Sequence, residues 1–308
     1  MLFWYNQTMN EQSILEIIQS KIGNEFIGDD CAYLKDLGIV ISQDSLVEDI
    51  HFKRDWCTPY QLGYKSIAVN ISDILASGAQ PKYITIALSM PKNIDEKFVS
   101  DFYEGAQSAL CGAKIVGGDI TGSIDKIVVS VTAIGSVKGR NISSRANAKD
   151  GYAVITKGLH GSSSAGLAEL MKGSNNKEFI KAHLEPKLEY EFSQTISTLI
   201  NEPYAMMDTS DGLADALFKI AESSGVSIKV DYDKISHLDS VTKEQVLFGG
   251  EDYKLVAAIP ERYITQIHNA DLIGYVYPYN NIKLDISGVK YNDYSELKVY
   301  NHFGENNE

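Results

Sequence analysis

The chain has 308 residues, 44% hydrophobic and 22% charged, which is ordinary globular usage and a length that suits about two domains. Its formal charge of −13 argues against nucleic acid as a partner, and its four arginines (Arg54, Arg140, Arg145, Arg262) are too few to line a phosphate pocket without divalent cations. Three widely spaced cysteines without a CxxC pair, an N-terminus (Met1–Asn6) with no basic region, and the lack of any apolar run of ~20 residues exclude a zinc or disulfide framework, a signal peptide and a membrane span, and point to the cytoplasm.

In chain order, Gln12–Lys21 carries apolar residues at helical spacing. Leu37–Ser42 is a short β-branched run that reads as a strand, with Asp44 following it. Pro59–Ser77 reads as a helix stopped by Gly78 with Pro81 beyond, and Asp95–Leu110 as another, with Phe98, Phe102, Ala106 and Leu110 at four-residue steps. Lys114–Val116 is expected to be a short buried strand ending at the turn Gly117-Gly118-Asp119, and Lys126–Val137 is a long β-rich run. The polar stretch Gly139–Gly151 lacks periodicity and sets the domain boundary, giving domains 1–145 and 146–308. Beyond it, Tyr152–Thr156 is a strand, and Gly158–Gly166 is a glycine- and serine-rich loop of a kind that can cradle phosphate, feeding a helix at Leu167–Met171. Asn175–Lys177 marks a loop, and Ala205–Met207 leads into Asp208-Thr209-Ser210-Asp211-Gly212 and a helix over Leu213–Ser223. Val226–Val230 and Tyr253–Ile259 read as strands, the second preceded by Gly249-Gly250-Glu251-Asp252. Short β segments are expected around Tyr275, over Ile282–Ile286 and over Leu297–Tyr300, with a frayed end at Gly304–Glu308. Strands and helices mix in both halves, so the class is α/β or α+β.

Four turns place carboxylates beside small residues: Gly28-Asp29-Asp30, Gly117-Gly118-Asp119, the segment from Asp208 to Gly212, and Gly249-Gly250-Glu251-Asp252. Taken singly, such pairs are usually plain turn chemistry; glycine also lets a ligand approach the main chain, and aspartate is a hard oxygen donor suited to magnesium. On the helix Pro59–Ser77, Ser66, Asn70, Asp73 and Ser77 form one polar stripe on an otherwise apolar cylinder. If that helix is buried, Asp73 needs a partner, and a metal would serve; the alternative is a solvated face. No GxxxxGK[ST], GxGxxG or HExxH motif occurs.

Six motifs in order then resemble a known family: Gly28-Asp29-Asp30-Cys31-Ala32; Asp44-Ser45-Leu46-Val47-Glu48 with His51-Phe52; Ala68-Val69-Asn70-Ile71-Ser72-Asp73 with Gly78-Ala79; Gly117-Gly118-Asp119; Asp208-Thr209-Ser210-Asp211-Gly212-Leu213; and Gly249-Gly250-Glu251-Asp252-Tyr253. Together they are similar to the thiamine-monophosphate kinases of the aminoimidazole-ribonucleotide synthetase-like ATP-binding superfamily, from about Phe26 to Phe303. The resemblance implies a two-domain fold of mixed sheets flanked by helices, a homodimer joined through an N-terminal β-barrel, and ATP-dependent phosphorylation of thiamine monophosphate with several Mg2+ ions. It places Asp30, Ser42, Gln43, Asp44, Asp73, Asp119, Asp208 and Asp211 at metal positions, with Asp44, Asp119 and Asp208 at the centre of catalysis. Tyr103, Gly118, Asp119, Arg145 and Ser210 fall at ATP contacts, and His51, Glu251 and Tyr300 at substrate contacts. Departures are Gln43 where threonine is usual, Asn147 for a glycine, and Lys187 for an arginine. The alternatives are another ATP-dependent member of the superfamily with a different acceptor, or a nucleotide- and metal-binding regulator without turnover.

Overall fold

The computed structural model describes residues 11–23 and 25–300. The first half runs α1 (Glu11–Ile22), β1 (Ala32–Leu34), β2 (Ile39–Val47), α2 (Pro59–Ala76), β3 (Gln80–Met90), α3 (Glu96–Ser108), β4 (Lys114–Gly122) and β5 (Val128–Ser136). The second half runs β6 (Tyr152–Lys157), α4 (Ser162–Lys172), α5 (Lys177–Leu184), α6 (Tyr190–Leu199), β7 (Ala205–Asp208), α7 (Leu213–Ser224), β8 (Val226–Val230), α8 (Lys243–Phe248), β9 (Leu255–Pro260), β10 (Asp271–Pro278), β11 (Leu284–Ile286) and β12 (Val289–Tyr291). Each half builds one mixed sheet. The first has the order β1-β2-β5-β3-β4, antiparallel except for the β3–β4 pair. The second has the order β12-β11-β8-β10-β6-β9-β7, antiparallel except for β11–β8.

The helix α2 organises the molecule. Thr58 and Gln61 form a capping box, Pro59 opens the first turn, and Gly78 at φ +79 ends the run. From Leu62 to Ala76 every residue except Tyr64 and Asp73 is buried. Alternating β5 residues Val129, Val131 and Ala133 face it from the first sheet. On another side α3 crosses at backbone contact: a Cβ on Gly63 would lie 1.9 Å from the Phe102 carbonyl oxygen, and one on Gly105 would lie 1.8 Å from that of Tyr60. The same core continues through α6 (Phe192, Ile196) into Met206, Leu255, Ala257 and Ile259 on one face of the second sheet. The other face of that sheet carries a second core with α7 and α8. The two halves are therefore joined by continuous apolar packing.

Several sequence expectations need correction. β2 extends through Val47, so Asp44 lies inside the strand. β4 is nine residues long and mostly exposed, not a short buried strand, and Gly117-Gly118-Asp119 sit within it because β3 offers a long parallel partner. α4 begins at Ser162, so the glycine- and serine-rich loop is only half as long as its sequence suggests. The helices α5, α6 and α8 are additions, and Leu297–Tyr300 forms no strand. A single chain supplies one sheet that ends at β1 and β4, and the barrel expected from the sequence is one formed across two copies. The tail Gly304–Glu308 lies outside the described residues. Among the described residues no helix is long and apolar enough to cross a membrane.

Candidate active site

Strand alternation puts Ser42 and Asp44 of β2 on the face toward α2, where the polar stripe of that helix meets them. The Asn70 side-chain oxygen accepts the Asp44 amide N–H at 3.0 Å, and Ser42 Oγ donates to the Asp73 carboxylate. From the second half, Asp208 at the end of β7 accepts the Ser72 hydroxyl at 2.6 Å. Asp30, just before β1, is paired with Arg145 at 2.8 Å, while the Arg145 backbone N–H donates to Asp29 at 2.7 Å. Asp30, Asp73 and Asp208 each offer a carboxylate oxygen within 4.8 Å of the others.

This crowding has an electrostatic cost. Burial, and then Asp30, push the Asp208 carboxyl up to about 7. Burial and the charges of Asp44, Asp208 and Asp30 raise Asp73 well above the carboxylate range. Burial also raises Asp30, although Arg145 opposes it. Asp211, at the entry to α7, is half exposed and paired with Lys219 at 3.2 Å. The Arg145 Nε is buried without a hydrogen-bond partner. A set of hard oxygen donors this crowded, with Arg145 bonded to Asp30 and Lys219 to Asp211, matches what divalent magnesium requires.

A second constellation forms at the other end of the α2 stripe. Glu251 has φ +63, and its N–H donates to the Ser210 carbonyl at 2.7 Å. Gly250 is needed there, since a Cβ would come within 2.7 Å of that same Ser210 oxygen. The Glu251 carboxylate meets Lys65 Nζ at 3.1 Å and His183 Nδ1 at 3.5 Å. Burial works to raise its pKa, but Lys65, His183 and His51 together hold it below the usual range. His51 is oriented by its Nδ1, which accepts the Val47 N–H at 3.1 Å. The neighbouring Asp252 caps α4, accepting the N–H groups of Gly161 (2.5 Å) and Ser163 (2.8 Å). That carboxylate occupies the anion position the loop Gly158–Gly166 offers, so the loop is not a phosphate cradle.

Other expected residues lie elsewhere in the single chain. Gln43 faces away from Ser42 and Asp44, into a groove of about 390 Å³ on the opposite side of the first sheet, shared with Gly118, Asp119 and Thr132. Asp119 pairs through Ala87 to Ser130 and Ser45, whereas Asp44 pairs through Val131 to Ile86 and Gly118. Asp119 is thus three strands from Asp44 and on the other face, so one chain does not gather all the expected metal positions. Tyr103 sits on α3, edge-to-face with Phe102. Ser210 contributes its carbonyl to the Glu251 turn. Tyr300 is exposed at the end of the described chain. Among the departures, Asn147 closes the short helical turn begun by Arg145, and the Lys187 carbonyl accepts from Lys254 at 2.6 Å.

Lys65, His183 and Lys219 escaped the sequence reading, and Asp29 and Ser72, though inside its motifs, were given no role. Lys65 had one visible signal, a lysine inside a helix apolar on nearly every side; His183 had none.

Residues 28–137 match the N-terminal domain of AIR synthase related protein, and residues 150–268 match its C-terminal domain. The thiamine-monophosphate kinase of Bacillus subtilis (strain 168) is 35% identical over 303 residues, covering 90% of this chain and 93% of that protein. The thiamine-monophosphate kinase of Prochlorococcus marinus is 34% identical over 281 residues, 83% of each chain. Among solved structures, AaThiL complexed with AMPPCP and TMP matches with a TM-score of 0.87 at 29% identity, covering 98% of this chain and 100% of that one.

Proposed function

The chain belongs to the thiamine-monophosphate kinase family, and from that premise we propose how its residues divide the reaction. The enzyme phosphorylates thiamine monophosphate at the expense of ATP, giving thiamine diphosphate and ADP. The acceptor is a phosphate oxygen that is already anionic, so no strong general base is needed; bringing two anions together in line is the difficulty. The observation that carries this reading is the meeting of Asp30, Asp73 and Asp208 within 4.8 Å, from both halves of the molecule, beside Arg145. Asp30, Ser42, Asp44, Asp73, Asp208 and Asp211 would hold several Mg2+ ions, which when bound neutralise phosphate charge and orient the reacting oxygens. Arg145 and Ser210 border the ATP phosphates. His51 and Glu251 receive the thiamine end, and Tyr300 stacks on the cationic thiazolium.

The assembly is a homodimer made through the first sheet. Tyr83, Val116 and Ile120 expose apolar surface on β3 and on the open edge of β4, a surface that calls for a partner. In that dimer Gln43, Gly118 and Asp119 of one copy complete the acidic cluster of the other, with Tyr103 as an ATP contact. Residues 1–145 and 146–308 are the two functional domains. Three free cysteines suit a reducing cytoplasm.

The test is ADP release by purified protein with ATP and Mg2+, comparing thiamine monophosphate with thiamine and with an aminoimidazole ribonucleotide. Release dependent on thiamine monophosphate is expected; its absence with that acceptor would overturn the assignment.

A further inference from the structure

The Lys65 side chain is 3% exposed, on the same buried helix that carries Asn70 and Asp73. Burying an ammonium costs several kcal/mol unless its partners are well placed, and a well-packed apolar residue would serve stability as well. Lys65 faces Glu251 Oε1 at 3.1 Å and His183 Nε2 at 3.4 Å, both from the other half of the chain.

These contacts fix the hydrogens around the carboxylate. An ammonium has only donors, so the His183 nitrogen facing Lys65 presents its lone pair. Burial, and then Lys65, lower the His183 pKa to about 4, so the ring is neutral near pH 7. Its proton therefore sits on Nδ1, which lies 3.0 Å from Ser163 Oγ and 3.5 Å from Glu251 Oε2. Ser163 is held in turn by its N–H donating to Asp252. Glu251 itself occupies the left-handed region at φ +63, a conformation that persists in a non-glycine residue only where its surroundings enforce it. Other titratable groups facing Glu251 are His51, and Asp252 and Tyr253 next in the chain.

We infer that Lys65 is a positioning residue for thiamine monophosphate, clamping the Glu251 carboxylate across the domain interface with His183 as the second jaw. This rests on the reading of Glu251 as a contact to the thiamine end. With Lys65 in place the carboxylate is an acceptor only, oriented for a cationic or N–H-bearing ring. Without Lys65 it loses that buried cation and its anchor.

The test is steady-state kinetics of Lys65→Met, Glu251→Gln and the double variant, varying thiamine monophosphate and ATP separately. Lys65→Met should raise KM for thiamine monophosphate at least tenfold and leave KM for ATP within twofold, with Lys65→Arg recovering most of the loss. The double variant should be no worse than Glu251→Gln alone, because Lys65 acts through that carboxylate. This comparison also holds if Lys65→Met alone fails to fold, since the double variant leaves neither charge unpaired. Equal rises in both KM values, an unchanged KM for thiamine monophosphate, or a double variant more than threefold worse than Glu251→Gln would overturn the proposal. Wild-type protein that releases ADP with thiamine monophosphate separates these outcomes from failure of the kinase assignment, which would overturn both.

Discussion

Asp208 is shut away from water with Asp30 and Asp73 close by, and its carboxyl is pushed up to about 7. In the unfolded chain the same group titrates near ~3.9. The folded state thus holds a proton that the unfolded state releases between those two values, so this contribution to stability is present at low pH and is lost as pH rises through about 7. In EDTA the Tm of Asp208→Asn relative to wild type should rise between pH 5 and pH 8, and Mg2+ should restore the wild type most at the upper end; a Tm difference that does not change with pH would contradict the crowding. By the same reasoning Asp73→Asn should raise the Tm of the metal-free protein at pH 8 while lowering turnover by at least about tenfold to a hundredfold. Scanning calorimetry in EDTA and an ADP assay check the two halves of that statement. Asp30 and Asp208 stood out in sequence as carboxylates in turns of small residues, and Asp73 as part of a polar stripe on an apolar helix. Lys65 and His183 were not, since their meaning arises only when two distant segments touch. Asp119 was read as part of the cluster because its motif is visible but the parity and order of the strands that place it are not.

The crossing of α2 and α3 is a matter of elements. Gly63 and Gly105 let the two backbones touch, so a methyl at either position strikes a carbonyl oxygen of the other helix. Gly63→Ala should cost about 1–3 kcal/mol through overpacking, read as a shift in denaturant midpoint without a change in m-value. A neutral result would mean that α3 can slide away. Both helices were evident from periodicity and caps, as were β5, β6, β8 and α7. The helices α5, α6 and α8 were not: they are short and half-exposed, and their form is imposed by the cores they cover, so local pattern carries little of it. β4 was mistaken for a short buried strand because Gly-Gly-Asp reads as a turn, whereas eleven residues of β3 beside it keep the chain extended.

At the scale of the molecule, Asp119 lies three strands from Asp44 and on the other face, and the proposed dimer is what would bring it to the acidic cluster of a second copy. Asp119→Asn and Asp208→Asn should each be inactive as pure homodimers, yet co-expression should recover activity, because a mixed dimer gathers both lesions in one site and leaves the other whole. ADP release by the purified mixture checks this; no recovery above the separate variants would place Asp119 in its own chain's site or outside the reaction. The two-domain layout was legible from the polar stretch between two mixed runs, but the way the second half closes on the first was not. Beside the shared apolar core and bonds such as Gln61 to Glu185 and Ser193 to the Leu75 carbonyl, two ties join one helix to the candidate site: Ser72 to Asp208 at 2.6 Å and Lys65 to Glu251 at 3.1 Å. Their anchor points are seven residues apart on α2, about 10 Å along its axis. One tie would fix a single point of the second half, whereas two fix the spacing of two points along the helix. In the division of labour proposed above, the gap between the nucleotide end and the acceptor-ring end is counted in turns of helix, as on a calliper with its jaws locked. An acceptor with a longer reach from ring to phosphate would need a longer α2, not a looser hinge.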